Sequence, residues 1–385
     1  RLALEDTESS GKTAGRIYAL STLGSFIGTF LPVLVLIPAI GTYKTFIVLS
    51  LMLMAPAWAS LAKAEGIRFA ARYLWMPVIL IIASLFGLSG FDKIAKNIVF
   101  EGESAYNYIQ VQETNGYRIL RLNEGQGIHS IYHPEVRNYH GPWEQVLVAP
   151  FFYPPSENPM DVSRIAILGL AAGTSAQQAM EIFPGVKIDG YEIDPEIIKV
   201  GSEYFAMGGD DLSIYAKDAR AGLSQSSHLY DIVSVDAYRP PYIPWHLTTV
   251  EFFEEIRAHL SDKGTLVINV ARIFNDRRLV DALYQTIGSV FEDVYVVDLP
   301  DSLNTMIFAT RNSSGFNNLI QNYIVIQGSE EPDQLLLQNL EVAILNQQPN
   351  PDAGVVFTDD LAPVEWITNS MVFDLIFSDN MEALQ

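Results

Sequence analysis

Four short stretches of the sequence put glycines or carboxylates where a small molecule could be held. The first, Leu168-Gly169-Leu170-Ala171-Ala172-Gly173-Thr174, sets two glycines between an apolar run and an amphipathic one. Glycines at such a turn let the backbone come close to a ligand at a helix N-terminus, although a tight turn of purely structural purpose has the same form. The second, Tyr191-Glu192-Ile193-Asp194-Pro195, places an acidic residue about 20 positions further on, where a carboxylate accepts hydrogen bonds from both ribose hydroxyls. Turn and carboxylate together point to a nucleoside site. Asp194 reads as the N-cap of the next helix, with Pro195 in its first position. In the third stretch, Ala216-Lys217-Asp218-Ala219-Arg220, Asp218 could take a hydrogen bond from an adenine amino group or serve as a cap. The fourth, Val233-Ser234-Val235-Asp236-Ala237-Tyr238, closes a strand with a carboxylate.

The elements that must position these residues alternate. Residues 164–170 read as a strand, 175–183 as a helix, 186–193 as a strand and 195–205 as a helix, and 232–236, 249–260 and 265–270 continue the pattern. Strand and helix in turn predict a parallel sheet covered on both faces, with ligands collecting at the carboxyl ends of its strands. Upstream, residues 108–112 and 117–122 alternate around Asn115-Gly116, a hairpin signature. The tail after residue 312 is more polar, with a helix expected over 332–345.

The N-terminal part obeys a different solvent. Residues 17–40, 45–62 and 73–91 each run without a charged side chain, which predicts about three membrane-spanning helices, since one crossing takes roughly 20 apolar residues. Residues 1–98 carry nine Lys and Arg against five Asp and Glu, and the remaining chain 15 against 40. A globular part this acidic repels phosphate backbones and excludes nucleic acid as a partner. With no cysteine, thiolate metal sites are excluded; His129 and His133 have the spacing of a helical metal pair, but Pro134 argues against a helix there. The chain begins with Arg1 rather than Met, so further spanning helices could precede it.

The order of the glycine turn, Glu192-Ile193-Asp194, Asp218-Ala219, the strand-terminal Asp236, then His246-Leu247-Thr248-Thr249-Val250-Glu251-Phe252-Phe253 and Leu260-Ser261-Asp262-Lys263-Gly264, resembles the spermidine synthase family. So do Glu103 to Ile109 and Leu122-Asn123-Glu124-Gly125-Gln126 upstream. With membrane helices in front and Thr358-Asp359-Asp360-Leu361-Ala362-Pro363-Val364-Glu365 behind, the whole looks like the membrane-fused branch of that family. The resemblance implies a Rossmann-like, methyltransferase-like α/β domain over 151–312, preceded by a transmembrane region over 1–96 and a small antiparallel domain over 97–150, and followed by a C-terminal extension over 313–385. It implies transfer of an aminopropyl group from decarboxylated S-adenosylmethionine to a polyamine or other amine, without metal. Gly169, Gly173, Glu192, Asp218, Ala219 and Gln126 would bind the nucleoside, and Asp236, with Tyr238, would be catalytic, Asp236 as general base.

The sequence also departs from the family. Soluble aminopropyltransferases carry a second acidic residue three positions after the catalytic one, where this chain has Arg239, followed by Pro240-Pro241. A guanidinium there would repel a polyamine. Pro142-Trp143-Glu144 replaces a Tyr-His-Glu stretch, and Ala171 replaces the middle glycine of the turn. Two rival readings follow: a methyltransferase using intact S-adenosylmethionine, or an inactive binding or assembly subunit of a membrane complex or homo-oligomer. Six cationic residues near the helix ends (Arg1, Lys12, Arg16, Lys63, Arg68, Arg72) oppose three (Lys44, Lys93, Lys96), so the positive-inside rule places the globular domain outside the cytoplasm, whereas an active transferase using S-adenosyl and polyamine metabolites of the cytoplasm should face inward.

Overall fold

The structure is a computed structural model that describes residues 10–86, 97–123, 127–238, 242–273 and 276–377. The chain divides into two compact units, residues 1–110 with 123–125, and residues 111–122 with 126–385.

In the first unit, α1 (Ser10–Leu31) runs through a π-helical turn at Pro32–Leu36 into α2 (Ile37–Ile40). Gly41, at φ 82°, breaks the helix and starts α3 (Thr42–Glu65); Gly66, at φ 88°, ends it before the short α4 (Ile67–Ala70) and α5 (Trp75–Phe86). Both breaks need the left-handed backbone that glycine adopts without cost. Among the described residues two helical stretches are long and apolar enough to cross a membrane, Gly11–Leu36 and Thr42–Glu65, at 26 and 24 residues. Of the third expected span, residues 75–86 are helical and 87–91 lie outside the described residues. Strand β1 (Ile98–Glu103) ends in Glu103, whose carboxylate accepts from the Thr42 amide (2.6 Å) and hydroxyl (2.5 Å) and so caps α3.

The division between the units falls within β2 (Tyr108–Thr114). Its turn into β3 (Tyr117–Leu122) passes through Asn115 and Gly116, both at positive φ, as a two-residue hairpin requires. Strand β4 (Ser130–Tyr132) pairs antiparallel with β3. A 3-10 stretch, Trp143–Phe152, follows, with every residue buried.

The main domain then alternates β5 (Arg164–Leu168), α6 (Thr174–Ile182), β6 (Lys187–Glu192), α7 (Pro195–Tyr204), β7 (Leu212–Ala216), α8 (Ala219–Ser224), β8 (Tyr230–Val235), α9 (Val250–His259) and β9 (Leu260–Ala271). The chain continues as α10 (Arg278–Gly288), β10 (Asp293–Asp298), β11 (Asn304–Thr310), α11 (Phe316–Gln327), α12 (Gln334–Leu345), β12 (Gln347–Gln348) and α13 (Val364–Phe377). The sheet order is β12-β10-β11-β9-β8-β5-β6-β7. The five strands from β7 to β9 are parallel, as expected, whereas β11 and β10 extend the sheet antiparallel. Alternate side chains enter opposite faces: Ile165 and Ile167 join a core with α6, α11 and α12, while Ala166 and Leu168 join one with α9, α10 and α13. From β5 the chain winds outward to β6 and β7, then crosses to β8. The order reverses between β5 and β8, the position at which such sheets leave a crevice at their carboxyl ends.

Candidate active site

Gly169 starts the turn after β5 at φ 97°, and a Cβ there would lie 2.4 Å from the carbonyl oxygen of Asp236. The ends of β5 and β8 thus touch through bare backbone, and the Asp236 amide donates to the Leu168 carbonyl at 2.9 Å. Gly173, at φ 86°, leads into α6, and between them Ala171 holds φ 48° without glycine's freedom. The small sheet braces this turn. The Ala172 amide donates to Ser130 Oγ (2.9 Å), and Thr174 exchanges hydrogen bonds with Ile131, its hydroxyl donating to the carbonyl (2.9 Å) and accepting from the amide (3.0 Å).

Glu192 ends β6 almost fully buried. Its Oε2 accepts from the Ala171 amide (2.9 Å) and its Oε1 from the Asp194 amide (3.0 Å). Burial nonetheless outweighs those donors and pushes the carboxyl up to about 7. Each oxygen keeps a lone pair, the capacity a pair of ribose hydroxyls would need. Asp194 is the N-cap of α7, accepting from the Glu196 amide at 3.0 Å.

Asp218, beyond β7, caps α8 through Oδ1, which accepts from the Ala221 amide (3.0 Å), and sets Oδ2 3.0 Å from His246 Nε2. The His246 ring, more than the cap, holds this carboxyl below the ordinary range. Ala219, the first residue of α8, is buried.

Asp236 follows β8 and receives a hydrogen bond from Asn269 Nδ2 on β9 (3.0 Å to Oδ1). Burial dominates that bond and raises the carboxyl to about 6. Two residues on, the Tyr238 hydroxyl donates to the Asn269 carbonyl (3.0 Å) and accepts from the Ala271 amide (2.8 Å), so it is tied to the β9 backbone.

Gly169, Gly173, Glu192 and Asp236 therefore meet at the strand-order reversal, and Asp218 with Ala219 stands at the same end of the sheet, after the edge strand. Gln126, Arg239, Pro240 and Pro241 lie outside the described residues. Glu144 is fully buried and accepts from the Tyr139 and Gly141 amides and from Gln178. Asn269 and His246 join the site with no role expected from sequence. Asn269 left one signal, a single polar side chain within Leu266-Val267-Ile268-Asn269-Val270, and His246 opens a stretch that resembles the family, although nothing in that stretch pairs it with Asp218. Among the described residues no three potential ligands gather as a metal centre requires.

No family model matches the chain. The probable polyamine aminopropyl transferase of Bifidobacterium longum is 32% identical over 308 residues, covering 76% of this chain and 67% of that protein. The polyamine aminopropyltransferase of Vibrio vulnificus is 27% identical over 302 residues, 74% of this chain and 97% of its own length. A spermidine synthase solved in complex with the transition state analogue AdoDATO superposes with a TM-score of 0.53 at 17% identity, covering 66% of this chain and 86% of that one, a likeness of fold. Sequence similarity spanning three quarters of the chain and two thirds of the Bifidobacterium protein, on a shared fold, places this chain in the polyamine aminopropyltransferase family, to which spermidine synthases belong.

Proposed function

We propose that the chain transfers an aminopropyl group from decarboxylated S-adenosylmethionine to an amine, releasing methylthioadenosine. The observation that carries this reading is Asp236, a carboxylate raised to about 6 with one amide partner, beside a glycine turn at the strand-order reversal. Its basicity lies close to neutral, where a general base still ionises yet holds a proton well. In this reading Glu192 accepts from the ribose and Asp218 and Ala219 take the adenine, while Gly169 and Gly173, whose missing side chains make room for the Asp236 backbone and the Met207 side chain, shape the turn that faces the ligand. The acceptor ammonium gives a proton to Asp236. Its freed lone pair forms a bond to the aminopropyl carbon attached to the sulfonium, the bond between that carbon and sulfur breaks, and its electron pair returns to sulfur, which leaves as the thioether of methylthioadenosine. Tyr238, with its hydroxyl tied to β9, holds the segment after Asp236 and so positions the base.

Incubating the full chain with decarboxylated S-adenosylmethionine and a panel of di- and polyamines tests the reading by mass spectrometry. Methylthioadenosine and one aminopropylated amine are expected in equal amounts. Product from no amine, with nucleoside binding intact, would leave a binding or assembly role.

The two long apolar helices support a multi-pass anchor, and the Lys and Arg count supports an outward-facing globular domain. Survival of that domain under external protease on intact cells would reverse the orientation.

A further inference from the structure

The segment Thr358-Asp359-Asp360-Leu361 has no part in the site as described, yet it is bound to the base end of it. Its backbone closes on itself, Thr358 donating to the Leu361 carbonyl (3.0 Å) and Leu361 to that of Thr358 (2.9 Å). The Asp359 carboxylate takes both arms of one guanidinium, Arg220 Nη1 to Oδ1 (2.7 Å) and Nη2 to Oδ2 (2.9 Å), and accepts from the Thr249 hydroxyl at the start of α9 (2.7 Å). Arg220 spends its remaining donors on Glu255 (3.0 and 2.7 Å) and on the backbone carbonyl of His246 (3.1 Å).

Two of these residues, Arg220 and His246, lead to Asp218. Arg220 lies in the first turn of α8, the helix that Asp218 caps, and the ring of His246 stands 3.0 Å from the other Asp218 oxygen. A bidentate carboxylate fixes the plane of a guanidinium as a single hydrogen bond cannot. We infer that Asp359 is a positioning residue for the nucleoside site: acting through Arg220 it fixes the first turn of α8 and the carbonyl of His246, and so sets the direction in which Asp218 presents its oxygens to a purine 6-amino group. The inference rests on the reading that Asp218 takes the base. It gives the C-terminal segment a share in ligand selection from a position 139 residues beyond Arg220.

Calorimetric titration of the full chain with methylthioadenosine and methylthioinosine, which differ at the 6-position, tests it. Wild type prefers the 6-amino nucleoside. Asp359→Asn loses about tenfold in affinity for methylthioadenosine, the scale of one charge-assisted hydrogen bond, with little change for methylthioinosine. Asp359→Glu restores part of the preference. An equal loss for both nucleosides marks general loosening and overturns the inference, as does an unchanged preference. Should Asp359→Asn fail to fold, Arg220→Lys, which keeps the charge but not the fork, carries the same expectation and the same refutation. A wild type without preference removes Asp218 from the base and the inference with it, while aminopropyl transfer is judged separately by its product.

Discussion

Asp218 and Asp236 follow two parallel strands of one sheet, and their surroundings drive them in opposite directions. Asp218 meets a helix N-terminus and a histidine ring and is held below the ordinary carboxylate range, whereas Asp236 meets one amide and burial and is pushed up to about 6. An anion supplied with donors is a good fixed acceptor and a poor base; one starved of donors is the reverse. Glu192 stands between them. It has two backbone donors, yet burial still raises it to about 7, so two more hydroxyl donors would stabilise its charged form.

The largest expected effect separates the two ends of the site. Asp236→Asn should lower kcat by about a hundredfold or more while leaving methylthioadenosine affinity nearly unchanged, because only the proton acceptor is lost. Wild-type kcat/KM should fall as the pH drops through the range from about 7 to about 6, where Glu192 and then Asp236 take up protons and cease to act as anions. Stopped assays across pH with both proteins check this. Equal weakening of nucleoside binding by Asp236→Asn would mean that Asp236 belongs with the binding carboxylates and that the contrast with Asp218 is false.

Next in size is Glu192→Ala. It should weaken methylthioadenosine binding by about 1.5 to 3 kcal/mol, the range for hydrogen bonds to a charged group. Turnover at saturating nucleoside should change far less. Calorimetry reads the first and steady-state rates the second, and a loss confined to kcat would exchange the roles given to Glu192 and Asp236.

What could be read in the sequence was local. The glycine turn, Glu192 and the Asp194 cap each lie within a few residues of a strand end, so composition and spacing expose them. Strands β10 and β11 went unread although both are apolar, because β11 joins the sheet antiparallel to β9 through partners some 33 to 45 positions away, and β10 in turn pairs with β11. The stretch from Trp143 to Phe152 has the apolar run of a buried strand, but Pro150 lacks the donor a ladder needs and the segment winds as 3-10 turns. Arg220, His246 and Asp359 meet only in three dimensions, and no pattern of spacing announces a guanidinium shared between them.

The smallest effect concerns the turn that joins the two ends of the site. At Gly169 a side chain would strike the Asp236 backbone, so no residue but glycine fits; at Ala171 a methyl group is present although φ is 48°. A left-handed alanine costs roughly 1 to 2 kcal/mol, and replacing it with glycine returns part of that as unfolded-state entropy. Ala171→Gly should therefore stabilise the protein by about 0.5 to 1 kcal/mol, a rise in Tm of about 2 °C for a domain of this size. The Ala171 amide that donates to Glu192 remains in place, so methylthioadenosine affinity should stay within about twofold. Thermal melts and calorimetry on the one variant read both quantities. Tighter binding without a gain in stability would show instead that the methyl group crowds the ligand, and the turn would then count among the selective parts of the site.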